Sequence, residues 1–203
     1  MSVAVGMSQA RPRLPAMAKI IYDCAVSLNG RIADEDGSLD WLFEVPGATE
    51  PDPELLPTAA TVLVSGSTTY EWLLEHEGML EEPEKWQAFH GDKVSFVFSS
   101  RSLPIPAGAD IRLVSGSVAD ALPAIRAAAG DGDIWIVGGG DLAGQFYDAG
   151  ALDVIAMTVA PAALSGGAEV LPRRIGADRL RLVEARQAGP FARLVYDVLP
   201  PVE

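Results

Sequence analysis

The stretch Asp133-Ile-Trp-Ile-Val-Gly-Gly-Gly-Asp-Leu-Ala-Gly144 sets an apolar, β-branched run directly against three consecutive glycines. Ile134 to Val137 reads as a buried strand, and the following LAGQFYDAG reads as a helix closed by Gly150. Glycines at a strand-to-helix junction let the chain turn sharply or let another group come close to bare backbone. A helix N-terminus also offers unpaired N–H donors and partial positive charge, which suits phosphate.

Two further strand ends share this character. Thr61–Val64 runs into Ser65-Gly66-Ser67-Thr68-Thr69 ahead of a helix expected over Tyr70–Glu75, and Val94–Phe98 runs into Ser99-Ser100-Arg101. Ligands of open α/β sheets bind at the carboxyl ends of the strands. Two helix starts and a Ser-Ser-Arg loop on that edge suit a ligand with several phosphates, such as a dinucleotide. The Rossmann fingerprint does not fit. Gly138, Gly140 and Gly144 are spaced one residue too widely, and the acid expected about twenty residues on would fall at Thr158–Ala160, where there is none. The motif also lies well past the middle of the chain.

The remaining sequence supplies the rest of such a sheet. Strand Lys19–Ser27 leads through a Leu-Asn-Gly turn to a short extension, Arg31–Ala33, and the polar loop DEDGSLDW; Pro46–Pro57 is a proline-rich loop with one helical turn. Pro83–Phe89 and Val118–Ala129 read as helices, Ile111–Val114 and Ala151–Ala160 as strands. Leu180–Ala188 and Ala192–Leu199 close the chain as two strands joined at Gly189-Pro190. Strands alternating with helices predict an α/β, three-layer αβα fold with a mostly parallel central sheet and an antiparallel C-terminal hairpin.

Composition bounds the function. With 203 residues, 49% hydrophobic and 21% charged, the chain reads as one globular domain over 18–203 behind a disordered leader, 1–17, that lacks the apolar core of a signal peptide. A net charge of −13 argues against a nucleic-acid partner or an anionic membrane surface. Six glutamates between Glu71 and Glu84 read as a solvated face. The single cysteine, Cys24, permits no intramolecular disulfide, fits a reducing cytoplasm and sits in an apolar run as a small hydrophobe. His76 and His90 stand alone in polar segments and read as surface residues; no His/Cys cluster has metal-ligand spacing.

Taken together, "SLNGRIA" after the first strand, "GSTTYE" after the second, "FSSR", "VGGGDLAGQF" and "APAALSGGAEVL" resemble the dihydrofolate reductase-like superfamily. The nearest branch is the reductase domain of bifunctional riboflavin-biosynthesis deaminase-reductases, and the likeness runs from Lys19 to Leu199. Asn29 stands where that family often has Asp. The resemblance implies a soluble NADPH-dependent reductase, often a homodimer, acting on a small pyrimidine- or pteridine-type heterocycle or an aminopyrimidine carbonyl. It implies that Gly66, Ser67, Thr68 and Thr69, with Gly138, Gly139, Gly140, Asp141 and Leu142, hold the cofactor phosphates. Ser99, Ser100 and Arg101 would meet the adenosine 2′-phosphate, and Ala25, Ile32 and Ala33 the nicotinamide.

The substrate side is less defined. Hydride transfer needs no protein nucleophile, only an electrophilic carbon held against the nicotinamide and a source of protons. True dihydrofolate reductases place a carboxylate near the position of Pro46, and no acid stands there. Asp40 is the favoured candidate for that role, with Glu44 an alternative; Ser27, Asn29, Trp41 and Tyr70 are candidate substrate contacts. A second reading, from another class, is a nucleotide-binding regulatory protein that keeps the cofactor pocket without turnover.

Overall fold

Three central strands carry the core because alternate residues on each are large and apolar. The computed structural model describes residues 18–48 and 53–201, so the expected leader lies outside the described residues. The chain runs β1 (Ile20–Ser27), α1 (Asp40–Phe43), a 3-10 turn (Pro53–Leu55), β2 (Ala60–Gly66), α2 (Ser67–His76), α3 (Glu84–His90), β3 (Val94–Phe98), β4 (Ile111–Val114), α4 (Val118–Ala129), β5 (Asp133–Gly138), α5 (Gly140–Asp148), β6 (Val154–Ala160), β7 (Leu180–Ala188) and β8 (Phe191–Val198). The strands form one sheet in the order β4-β3-β2-β5-β1-β6-β8-β7. Strands β1 to β6 pair in parallel, and β8 turns the sheet antiparallel against both β6 and β7. The architecture is the expected three-layer αβα one, with a mostly parallel sheet and an antiparallel C-terminal hairpin.

The centre of one face of the sheet is fully covered. Ile20 and Tyr22, Val62 and Val64, and Ile134 and Ile136 each lie at 0% exposure, packed with Ile125 of α4 and Phe146 of α5. Helix α4 starts where the Ser117 hydroxyl accepts from the Asp120 N–H at 3.2 Å, a cap worth about 1 kcal/mol.

The opposite face is covered unevenly. Over β2 and β3, helices α2 and α3 bury Tyr70, Leu74, Trp86 and Val97. Over β5, β1 and β6, Trp135, Val137, Ala25 and Thr158 on the same face stay half-buried. Asp23, Ser27, Val154 and Ala156 on that face are buried, so the cover is thinner there without being absent. Among the described residues no helix is long and apolar enough to cross a membrane.

Candidate functional site

Strands β3, β2 and β5 are neighbours, so the three ends singled out by sequence lie side by side on the carboxyl edge. Helix α2 starts at Ser67, three residues before the expected Tyr70, with Gly66 as its N-cap; α5 starts at Gly140 with Gly139 as its N-cap. Neither start has a side-chain cap. The first-turn N–H groups of Ser67, Thr68 and Thr69, and of Gly140, Asp141 and Leu142, therefore have no partner within their own helices. The two starts are close, since a Cβ on Gly66 would lie 3.9 Å from the Gly139 nitrogen.

The three glycines differ in what they face. A Cβ on Gly138 would meet Thr69 Oγ1 at 2.9 Å, so Gly138 lets β5 pack closely on α2. A Cβ on Gly140 would collide with the backbone carbonyls of Glu169 and Val170. At Gly139 a Cβ would make only an ordinary van der Waals contact, with Ile32 Cδ1 at 3.9 Å, so there is room for one beside an expected nicotinamide contact. Of the three, Gly139 alone leaves room for a Cβ, and two adjacent helix starts without side-chain caps are a cradle, a donor set that fits a phosphate-bearing group.

The segment between β6 and β7 braces this cradle. Arg173 crosses α5, donating to Asp148 at 2.7 Å and Asp141 at 3.0 Å, and Gly144 leaves room for its side chain. Gln145 and Arg173 hold the Asp141 carboxyl below the usual range, and that carboxylate is turned to them; only its N–H belongs to the helix start. Arg31 forms a bridge with Glu169 and donates to the Gly167 carbonyl at 3.0 Å, tying the Arg31–Ala33 extension to the same segment.

The Ser-Ser-Arg loop is partly engaged. The Ser99 hydroxyl accepts from the Arg101 N–H and donates to the Arg101 carbonyl, both at 2.9 Å, shaping the turn. Arg101 pairs with Glu71 of α2 at 2.6 Å with its side chain 60% exposed. Ser100 is exposed next to it.

On the substrate side the structure corrects several expectations. Tyr70 is at 0% exposure, edge-on to Trp86, with its hydroxyl donating to the Pro104 carbonyl at 2.6 Å; it is a core residue. Ser27 donates to Asn29 Oδ1 at 2.9 Å and accepts from the Arg31 N–H, while Asn29 exchanges hydrogen bonds with the Leu164 backbone. Both clamp the turn after β1. Asp40 is exposed in the first turn of α1, and the buried Trp41 Nε1 has no hydrogen-bond partner among the described residues. His90 is half-buried rather than superficial, and burial, then Lys93, pushes its pKa down to about 4. Burial pushes the Cys24 thiol up to about 12, consistent with a small hydrophobe.

A charged pair that sequence reasoning missed lies on the face of the sheet that carries Ala25 and Thr158. Arg193 of β8 makes a two-pronged contact with Asp23 of β1, at 2.7 and 2.6 Å, with both residues 5% exposed. Arg193 also donates to Thr158 Oγ1 at 3.1 Å and to the Leu55 carbonyl at 2.7 Å. Burial raises the Asp23 carboxyl above its ordinary value, and the guanidinium offsets only part of that. A charge inside an otherwise apolar strand, IIYDCAVS, was the available signal, since such a residue needs a partner.

The model of the RibD C-terminal domain matches residues 18–192. The chain belongs to the RibD C-terminal domain family. Among curated proteins, this RibD C-terminal domain is 30% identical over 179 residues to the uncharacterized protein YwjB of Bacillus subtilis (strain 168), covering 88% of this chain and 97% of YwjB. Among solved structures it resembles a Shewanella sp. PV-4 protein named provisionally for riboflavin biosynthesis, at TM-score 0.71 and 24% identity over 91% of this chain and 100% of that one. It also resembles the Thermotoga maritima diaminohydroxyphosphoribosylaminopyrimidine deaminase/aminouracil reductase, at TM-score 0.63 and 14% identity over 90% of this chain and 57% of that one. A dihydrofolate reductase from Enterococcus faecalis, solved with NADP(H), matches at TM-score 0.56 and 17% identity over 89% of this chain and 96% of that one. These structural likenesses establish a pyrimidine reductase-like fold.

Proposed function

We propose that the chain is an NADPH-dependent reductase of a small pyrimidine- or pteridine-type heterocycle or an aminopyrimidine carbonyl. The observation that carries this reading is the meeting of two helix starts without side-chain caps at Gly66 and Gly139, with room beside the Gly139 backbone. The backbone of Gly66–Thr69 and Gly138–Leu142 would hold the phosphates. Ser99, Ser100 and Arg101 would take the 2′-phosphate, with Arg101 exchanging Glu71 for it. An exposed pair of that kind contributes only about 0–1 kcal/mol, so the exchange is inexpensive. Ala25, Ile32 and Ala33 would line the nicotinamide. When bound, NADPH supplies the hydride. Trp41 would border the substrate, and exposed Asp40 would handle the proton, whereas Ser27, Asn29 and Tyr70 act through the scaffold.

The test is NADPH titration, followed by energy transfer from tryptophan, and then loss of NADPH absorbance with a panel of dihydrofolate and aminopyrimidine substrates. Saturable binding with turnover of one panel member supports the reading; absence of NADPH binding overturns it. NADPH binding without turnover of any member favours the binding-only alternative. Asp40→Asn should keep NADPH affinity and lose turnover, and unchanged turnover would remove Asp40 from the mechanism. The expected homodimer belongs to the same proposal; Leu182 and Val183 on edge strand β7 are more than half exposed, and light scattering tests it.

A further inference from the structure

A second opening lies at the other edge of the sheet. Strands β1 and β6 begin there, antiparallel β8 ends there, and α4 ends there ahead of β5. Between these ends is a cavity of about 300 Å³ whose walls include Lys19, Arg126, Arg181, Asp153 and Asp197. Strand β1 is eight residues long, so roughly 23 Å separates this edge from the one that carries the glycine cradle.

The frame of the cavity is tied by backbone. The Ile20 N–H donates to Asp153 Oδ2 at 2.8 Å, and the Asp153 N–H donates to the Ile20 carbonyl at 3.0 Å. The Val198 N–H donates to the Asp153 carbonyl at 2.8 Å, which joins the end of β8 to the start of β6. Arg181 is engaged by Asp197 at 2.6 Å. The other two cations are not engaged. Among the described residues, the Lys19 ammonium and the half-buried Arg126 guanidinium have no hydrogen bond or ion pair. Acids outnumber bases by 28 to 15 in this chain, and two carboxylates line the same cavity. An arginine in the last turn of a helix gains from the dipole whichever way it points; here it borders the cavity without closing on Asp153 or Asp197. Both carboxylates use Oδ2, and Oδ1 of each accepts nothing among the described residues. The cavity therefore holds a free guanidinium fork and a free ammonium together with two free carboxylate oxygens.

We propose that this cavity binds a small phosphomonoester of a polyol. Arg126 and Lys19 take the phosphate, since a planar fork and an ammonium both match its oxygens. Oδ1 of Asp153 and Asp197 accept from the hydroxyls. A dicarboxylate would meet those two oxygens as like charges, and a neutral polyol would leave both cations unused. The volume stands at the small end of ligand pockets, which suits a metabolite of a few carbons and not a dinucleotide. The site is independent of the reductase reading, because none of its residues belongs to the cradle.

The experiment is amide NMR of the isotopically labelled full chain, titrated at constant ionic strength with glycerol 3-phosphate and, in separate arms, with glycerol and with inorganic phosphate. The amides of Lys19, Ile20, Asp153 and Val198 report this cavity, and those of Ser67–Thr69 and Gly140–Leu142 report the cradle. Glycerol 3-phosphate should give saturable shifts at the first set. Inorganic phosphate should bind there at least about fivefold more weakly, and glycerol should not bind. Arg126→Gln should weaken glycerol 3-phosphate about tenfold, the worth of one charge-assisted hydrogen bond, without altering the cradle amides. Lys19→Gln, at an exposed position, should weaken it about threefold and decides the matter if Arg126→Gln does not fold. Shifts that never saturate, shifts confined to the cradle, or affinity of the folded Arg126 or Lys19 variant equal to wild type would each overturn the proposal. Equal affinity for glycerol 3-phosphate and inorganic phosphate would also overturn it, as an adventitious ion only. NADPH titrated against the same amides keeps the two readings apart. Unmoved cradle amides would then remove the reductase reading and leave this site standing.

Discussion

Gly139 and Gly140 are identical neighbours whose surroundings make opposite demands. Valine at 139 would place its branches in the cradle, where the nearest protein atom lies 3.9 Å from the new Cβ. NADPH binding should be lost while the urea midpoint stays near that of wild type; retained affinity would mean the glycine serves packing only. Alanine at 140 would push against the Glu169 and Val170 carbonyls and should cost about 1–3 kcal/mol of stability in the same denaturation experiment. Arg101→Ala should weaken NADPH roughly 10- to 100-fold, the worth of about 1.5–3 kcal/mol, and leave NADH almost unchanged. Glu71→Gln should instead tighten NADPH by roughly 2- to 5-fold, because it frees Arg101 and removes a like charge from the phosphate; weaker binding would argue that Glu71 orients Arg101. Position 101 was legible in the sequence because arginine follows a strand end. Its partner was not, because the contact between α2 and the loop after β3 is tertiary.

The strands were read to within a few residues, since period-two burial shows directly in runs such as IIYDCAVS and DIWIVG. Helix α2 was read three residues late, because Ser67-Thr68-Thr69 carries hydroxyls and β-branches that compete with helix, and the Gly66 cap overrode that preference. Helix α3 hides a different property. His90 looked superficial, yet it packs edge-on against Trp86, and its Nε2 is buried without a partner among the described residues. With a folded pKa of about 4 against an ordinary 6.5, the unfolded chain takes up a proton between those values and the native chain does not. Stability therefore rises with pH across that window and is complete above it, a span worth up to about 3 kcal/mol. Urea denaturation at several pH values should show a shallower slope for His90→Gln than for wild type. An unchanged slope would assign the acid sensitivity to other groups.

Across the whole molecule, the alternation of strands and helices announced the parallel sheet and its antiparallel hairpin, but 170 residues separate Asp23 from Arg193 and no local pattern joins them. Arg193→Met alone should lose about 3–5 kcal/mol by leaving a buried carboxylate unpaired, and adding Asp23→Leu should recover most of it. A double-mutant cycle in urea measures the difference; two losses that simply add would show that the residues do not depend on each other. The strand order has an evolutionary consequence. Strands β3, β2 and β5 lie on one side of β1, whereas β6, β8 and β7 lie on the other. Mutations in the C-terminal hairpin can therefore alter one half of the sheet while the glycine cradle is inherited unchanged. A lineage built on this chain is free to vary the β6-β8-β7 side of the sheet while keeping the paired helix starts beside β2 and β5.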